Sequence, residues 1–193
     1  MSEMRNIVLV GFMGTGKTTV GELLATKLGW KLIDVDREIE ARCHMPMSKI
    51  FSEYGEPFFR EMETAVIKSL TLNDGMVVAT GGGAVLRDEN IAALRQCGTI
   101  VRLNAQAELI VKRLEQDQRV VRPLLSRPDK LQTVVTILAE RQSRYELADF
   151  SVDTDHLTPA EVVRKILAIC RPVPGRPLLS QQSIARRRRK LPC

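Results

Sequence analysis

The residues best suited to chemistry are a lysine and a threonine at the end of a glycine-rich segment. Residues 11–18 read GFMGTGKT, which matches the pattern G-x-x-x-x-G-K-[ST] at every fixed position. In that pattern backbone N–H groups cradle phosphates, the lysine reaches the β- and γ-phosphates, and the hydroxyl ligates Mg²⁺. The segment predicts a purine nucleoside triphosphate site that uses Lys17 and Thr18. The alternative is a purely structural glycine turn.

Two aspartates lie at the carboxyl end of the next apolar stretch, residues 31–36, which read KLIDVD. Open parallel sheets bind ligands at the carboxyl ends of strands, where Asp34 and Asp36 would lie on the same side of an extended chain. Asp34 could support the Mg²⁺ shell, and Asp36 could orient or deprotonate an acceptor hydroxyl. Taken alone, Asp36 is explained more simply as the N-cap of a helix that starts at Arg37.

Arginines and glycines indicate a second half of the site. Arg60 and Glu63 stand three residues apart on a predicted helix, either as a solvated ion pair or as an anion-binding arginine that Glu63 holds in place. The segment TGGG at 80–83 follows an apolar strand. Three glycines there make a flexible turn or clear space for something that approaches the backbone.

Arg141 falls on the inward stripe that Val134, Leu138 and Tyr145 form in a predicted helix. An unpaired buried charge is very costly, so an inward guanidinium needs an anion. A protein carboxylate or a bidentate ligand carboxylate would serve, and the spacing leaves both open.

Residues 116–129 form a polar segment with two prolines and three arginines, which is typical of a lid. Arg122 in this segment could neutralise charge on a transferring phosphoryl group. Arg113, just before it, could stack on the adenine face of a nucleotide.

These residues are embedded in an alternation of short apolar runs and helical patterns. Strands are predicted at 7–10, 31–34, 76–80, 99–103 and 150–153. Helices are predicted from about Gly16 to Leu28 and at 36–43, 48–54, 57–72, 88–96, 105–116, 130–148 and 158–170. Such alternation predicts an α/β fold, a parallel sheet with helices on both faces.

Composition limits the classes of function. The chain has 193 residues, 44% of them hydrophobic, and no apolar run near the roughly 20 residues of a membrane span. Four separated cysteines and an N-terminus that leads straight into the first strand indicate a cytoplasmic protein without a signal peptide. Residues 171–193 carry seven Lys and Arg and no acid, so the first 170 residues carry 22 Lys and Arg against 23 Asp and Glu. We therefore expect a basic, disordered tail and a body that binds no nucleic acid.

In these motifs the chain resembles the shikimate kinase family across about residues 5–170. The matching segments are GFMGTGKTT, DVD at 34–36, FFREME from Phe58, TGGG, VRPLL from Val121 and ERQSRY around Arg141. The resemblance implies a P-loop three-layer sandwich of the nucleoside monophosphate kinase type, with a five-stranded parallel sheet in the order 2-3-1-4-5. It implies one domain over 1–170, with a mobile lid at about 116–129 and an acceptor region at about 34–63.

The resemblance also implies Mg²⁺-dependent transfer of the ATP γ-phosphate to the 3-hydroxyl of shikimate, in aromatic amino acid biosynthesis. By position, Lys17, Asp36 and Arg122 match the catalytic residues, and Thr18 and Asp34 match the metal environment. ATP would contact Gly14, Thr15, Gly16, Lys17, Thr18, Thr19, Arg113 and Arg122. Shikimate would contact Asp36, Arg60, Gly81, Gly82, Gly83 and Arg141.

Two other functions compete with this one. A gluconate kinase-like or nucleotide kinase shares the P-loop and lid but needs no paired arginines for a carboxylate. A nucleotide-binding regulator would use the basic tail on RNA, DNA or acidic partners. For the kinase we expect a monomer.

Overall fold

The computed structural model describes residues 5–116 and 129–170. The described strands are β1 (Asn6–Val10), β2 (Lys31–Asp34), β3 (Met76–Ala79), β4 (Thr99–Asn104) and β5 (Phe150–Asp153). The described helices are α1 (Lys17–Leu28), α2 (Val35–Cys43), α3 (Met47–Leu70), α4 (Asp88–Cys97), α5 (Ala107–Gln116), α6 (Lys130–Tyr145) and α7 (Pro159–Cys170), with a 3₁₀ turn at Ala84–Leu86. None of these helices is long and apolar enough to cross a membrane.

The five strands form one parallel sheet in the order β2-β3-β1-β4-β5, which confirms the predicted order. β1 lies at the centre, and its residues are no more than 1% exposed. Its apolar run is continuous because both faces of a parallel sheet are covered by helices.

Alternate side chains of β1 enter two separate cores. Val8 and Val10 pack with residues of α3 and α4, whereas Ile7 and Leu9 pack with residues of α1 and α7. A third cluster joins the loop after β1 to α5 and α6 through Phe12, Ala105, Ile110, Leu114 and Val134. The glycine-rich segment is therefore fixed between packed elements on both sides.

The break predicted between the helices at 48–54 and 57–72 is confirmed as a kink within α3. Its one non-helical residue is Gly55, with φ 77° and ψ 177°, two residues before Pro57. Glycine adopts this backbone conformation without a steric penalty, so the helix restarts directly after a kink. The 3₁₀ turn at Ala84–Leu86 was not predicted.

Two predicted features lie outside the described residues. They are residues 117–128 of the lid predicted at about 116–129, including Arg122, and the basic tail at 171–193. Both stay predictions.

Candidate active site

The loop from Gly11 to Gly16 joins β1 to the N-terminus of α1. Gly16 precedes the helix at φ 93°, and no side chain caps the helix there. Lys17 extends back across the loop, and its Nζ donates to the carbonyl oxygens of Gly11 (2.7 Å) and Phe12 (2.8 Å). Uncapped N–H groups beside an ammonium form an anion site, as the sequence pattern predicts.

Thr18 and Asp34 meet at one end of this loop. The Thr18 hydroxyl donates to Asp34 Oδ2 at 2.9 Å, and Asp34 Oδ1 accepts from the backbone N–H of Arg37 at 3.3 Å. A hydroxyl and a carboxylate are suitable oxygen ligands for Mg²⁺. The described residues contain no cluster of three or more His, Cys, Asp or Glu side chains that could hold a metal alone, so a Mg²⁺ here would need oxygens from a nucleotide and water.

The N-cap of α2 is Asp34, so the interpretation of Asp36 as a cap is wrong. α2 begins at Val35, one residue earlier than predicted, which places Asp36 in the first helical turn rather than on an extended chain. Asp36 keeps solvent access, but burial by surrounding protein atoms, followed by the charges of Asp34 and Glu63, raises its pKa to about 6. Such a carboxylate can accept a proton near neutral pH.

Arg60 on α3 is held by two glutamates. Its Nη1 donates to Glu63 Oε2 at 2.9 Å, which confirms the predicted pairing, while Nε and Nη2 donate to Glu56 Oε1 at 3.2 and 2.9 Å. The guanidinium also lies 5.0 Å from the centre of the Phe59 ring. These contacts hold the planar cation in one orientation.

Glu63 is fully buried, and burial raises the pKa of its carboxyl. Its Oε1 has no hydrogen-bond partner among the described residues. A buried carboxylate oxygen without a partner is costly, and this one lies beside Gly81, where Asp36 also approaches.

Each glycine of the segment 81–83 makes room for a different group. A Cβ on Gly81 would lie 2.8 Å from both Asp36 Oδ1 and Glu63 Oε1, and one on Gly83 would lie 2.6 Å from Arg60 Nη2. A Cβ on Gly82 would lie 3.2 Å from the Met13 backbone nitrogen, in the glycine-rich loop. The three glycines therefore let the two predicted halves of the site meet.

Arg141 on α6 reaches the same segment. Its Nη1 donates weakly to the Gly82 carbonyl oxygen at 3.4 Å, and its guanidinium lies 5.9 Å from the centre of the Phe12 ring. No ion pair between described residues involves Arg141, so the protein carboxylate that the spacing left open as its partner is not found in this part of the chain. The Tyr145 hydroxyl donates to the same carbonyl at 2.7 Å.

Arg113 on α5 lies beside the glycine-rich loop. Its guanidinium donates to Gly14 O at 3.4 Å, and to the hydroxyl and carbonyl oxygens of Thr154 at 3.0 Å each. Its stacking on adenine stays a prediction.

Sequence reasoning missed two residues of the site. Glu56 lies four residues before Arg60, and this i,i+4 spacing of opposite charges could have indicated the ion pair. The bond from Tyr145 to Gly82 had no signal, because 63 residues separate the partners.

A phosphate-binding loop and an acid–arginine cluster at one edge of a five-stranded parallel sheet define a P-loop kinase of small molecules. A family model described as shikimate kinase matches residues 13–171. A shikimate kinase of Thermodesulfovibrio yellowstonii is 48% identical over 85% of this chain and 94% of its own. The structure of a shikimate kinase from Acinetobacter baumannii in complex with shikimate matches with a TM-score of 0.80 and 38% identity, covering 86% of this chain and 92% of its own. The chain belongs to the shikimate kinase family.

A gluconokinase from Sinorhizobium meliloti also superimposes on the chain, with a TM-score of 0.56 and 19% identity over 99% of this chain and 100% of its own. At this identity the likeness is one of fold alone. It explains why a gluconate kinase competes as an interpretation of the P-loop, and it adds no support for gluconate as the acceptor.

Proposed function

We propose that this kinase transfers the γ-phosphate of ATP to the 3-hydroxyl of shikimate, which yields shikimate 3-phosphate and ADP. The observation that carries the proposal is the convergence at Gly81–Gly83. Asp36, Arg60 and Arg141 come from three different helices, yet each lies against one of these glycines. Two guanidinium groups and one carboxylate suit an acceptor that has both a carboxylate and hydroxyls.

Arg60 and Arg141 bind the carboxylate of shikimate, and Asp36 aligns the attacking hydroxyl and accepts its proton. The two arginines orient the acceptor so that the hydroxyl, rather than water, faces the phosphate. Glu63 keeps Arg60 in position from its buried side. Gly81, Gly82 and Gly83 provide backbone space for the acceptor.

The nucleotide lies along the glycine-rich loop, with its phosphates on the N–H groups of Gly14, Thr15, Gly16, Lys17, Thr18 and Thr19. Lys17 is already held within the loop by Gly11 and Phe12, so its ammonium needs little reorganisation to offset charge on the phosphate oxygens. Arg122 from the lid adds a second cation, and Arg113 contacts the adenine.

Thr18 and Asp34 are the residues that would hold Mg²⁺, and their 2.9 Å hydrogen bond supports this assignment. When bound, the ion neutralises phosphate charge and fixes the phosphate geometry. Asp34 would keep its second oxygen on the backbone of α2, which holds the carboxylate in place.

We also propose that the enzyme acts as a monomer in the cytoplasm, where ATP is available. Each residue assigned a role belongs to one chain, so a second copy is not needed to complete the site. Sedimentation analysis with and without both substrates would test this.

Coupled measurement of ADP release with shikimate, gluconate or AMP as acceptor tests the function, with the product identified by mass spectrometry. Of these three acceptors, we expect only shikimate to give rapid ADP release, and we expect Lys17→Ala to abolish turnover. Equal or faster phosphorylation of gluconate or AMP would reject the proposal. Salt-sensitive polyanion binding without turnover would favour the regulator.

A further inference from the structure

Arg60 presents two distinct edges, and each is occupied by a glutamate of its own helix. Nη1 donates to Glu63 Oε2, while Nε and Nη2 together donate to a single oxygen, Oε1 of Glu56. A guanidinium binds carboxylates bidentately through such a pair of adjacent N–H groups. Glu56 therefore occupies an edge that an incoming carboxylate would use.

The two glutamates differ in how firmly they hold Arg60. The Glu63 side chain is 0% exposed, whereas the Glu56 side chain is 64% exposed. Water competes well for an exposed ion pair, which contributes little free energy. The bond to Glu63 is consequently the lasting one, and the bond to Glu56 is easily exchanged.

The backbone beside Glu56 also differs from a regular helix. Glu56 lies between Gly55, with its non-helical φ of 77°, and Pro57. Both hydrogen bonds that its side chain makes in the described structure go to Arg60, so moving it away breaks no other contact. Its displacement therefore leaves α3 and the Glu63–Arg60 pair intact.

We propose that Glu56 is an internal stand-in for the substrate carboxylate, which shikimate displaces from Arg60 on binding; this rests on the proposed function. In the free enzyme Glu56 keeps the guanidinium aligned and its charge balanced. Because the free edge of Arg60 is available only part of the time, the apparent affinity for the acid is lowered by that fraction. Glu56 thus sets the substrate concentration at which the enzyme responds.

The test compares Glu56→Gln and Glu56→Ala with the wild type and with Glu53→Gln. Glu53 pairs with Lys49 at 3.5 Å one turn earlier in α3, so its replacement removes the same charge without touching Arg60. We expect both Glu56 variants to lower the KM for shikimate about twofold to fivefold, the range of an exposed ion pair. The KM for ATP should stay constant, and Glu53→Gln should match the wild type.

A second readout follows the Nε–H resonance of Arg60 by ¹H–¹⁵N NMR without ATP, assigned with Arg60→Lys. In the wild type, shikimate should shift this resonance, and Glu56→Gln should shift it without any ligand. If wild-type enzyme turns over shikimate but the Glu56 variants show an equal or higher KM, Glu56 only positions Arg60 and the inference is overturned while the function stands. If the wild type does not phosphorylate shikimate, both fall.

Discussion

At the scale of single residues, the site depends on carboxylates in different surroundings. Asp36 keeps contact with solvent, while Glu63 is completely buried and its second oxygen lacks a partner among the described residues. Burial raises the pKa of both groups, and the adjacent Arg60 opposes the rise. The accessible carboxylate suits proton transfer, and the buried one suits the positioning of a cation.

The variant Arg141→Ala tests which substrate the Arg141 guanidinium binds. The guanidinium has no carboxylate partner among the described residues, so its removal should weaken carboxylate binding and leave the glycine-rich loop intact. Loss of a charge-assisted bidentate contact of about 1.5–3 kcal/mol predicts roughly a tenfold to hundredfold higher KM for shikimate. The KM for ATP should hardly change in steady-state assays. Arg164→Ala, which removes an exposed arginine on α7, is the control, and an equal loss for ATP in Arg141→Ala would refute the assignment.

Asp36→Asn should give a protein that is more stable at neutral pH and yet inactive. The folded pKa of about 6 exceeds the ordinary value of 3.8, so ionised Asp36 destabilises the fold. This cost is complete above pH 6, shrinks as the pH falls from 6 to 3.8, and vanishes below. The gain in Tm of the variant should therefore be largest at pH 7–8 and absent near pH 3.5. A gain in Tm that does not depend on pH would show that the pKa of Asp36 is not raised in the folded protein.

The pH dependence of wild-type activity tests the same raised pKa of Asp36. If ionised Asp36 aligns the hydroxyl in the free enzyme, kcat/KM for shikimate should fall as the pH decreases below about 6. A profile that stays flat down to pH 5 would contradict the role.

At the scale of elements, the segment after β3 decides how closely α2, α3 and α6 approach one another. Gly81 is where the carboxylates of α2 and α3 converge, and Gly82 accepts hydrogen bonds from Arg141 and Tyr145 of α6. The glycine segment after β3 therefore lies against side chains from all three helices.

The variant Gly81→Ala should lower activity strongly while it lowers thermal stability only slightly. The new Cβ would lie 2.8 Å from Asp36 Oδ1 and from Glu63 Oε1, so both carboxylates must move. Since small displacements of reacting groups strongly reduce rates, we expect kcat/KM for shikimate to fall at least about tenfold. The atoms that move are side-chain ends, so Tm should fall by only a few degrees. An active Gly81→Ala enzyme would show that this close approach is not required.

At the scale of the whole molecule, the sheet separates two apolar cores, and α7 closes the one beneath Ile7 and Leu9. Ile166 and Ile169 lie on the same helix, but Ile166 is 0% exposed and Ile169 is 38% exposed. Their replacement compares a core position with a surface position for the same side chain.

Ile166→Ala should lower the free energy of unfolding by about 2–5 kcal/mol, because it leaves a cavity in the core. Ile169→Ala should cost about 1 kcal/mol or less. Urea denaturation measures both, and KM values should remain near wild type because α7 supplies no residue of the site. An equal loss of unfolding free energy in the two variants would contradict the described packing.

Much of the fold could be predicted because its signals are local. Each strand is a short apolar run, and the described strands match the predicted ones to within a residue at each end. Thr158 and Pro159 are residue types favoured at the start of a helix, and Thr158 Oγ1 accepts from the Glu161 N–H at 3.3 Å just before α7 begins at Pro159. Helix ends were harder to predict, since α2 begins one residue early at Val35 and α6 ends at Tyr145 rather than at residue 148.

The sequence by itself determined the nucleotide loop, since a strand, a glycine turn and a helix N-terminus within 18 contiguous residues form an anion site without help from distant parts of the chain. It also left Asp36 as either a cap or a site residue, and Arg60 as either a surface pair or an anchor. Only the tertiary structure excluded the cap and the solvated pair, by giving the cap to Asp34 and by burying Glu63 beside Arg60, and it alone packed Arg60, Asp36 and Arg141 around one glycine segment. The physical reason is that the burial and approach of side chains from separate helices depend on how the helices pack on the sheet, which no local pattern encodes.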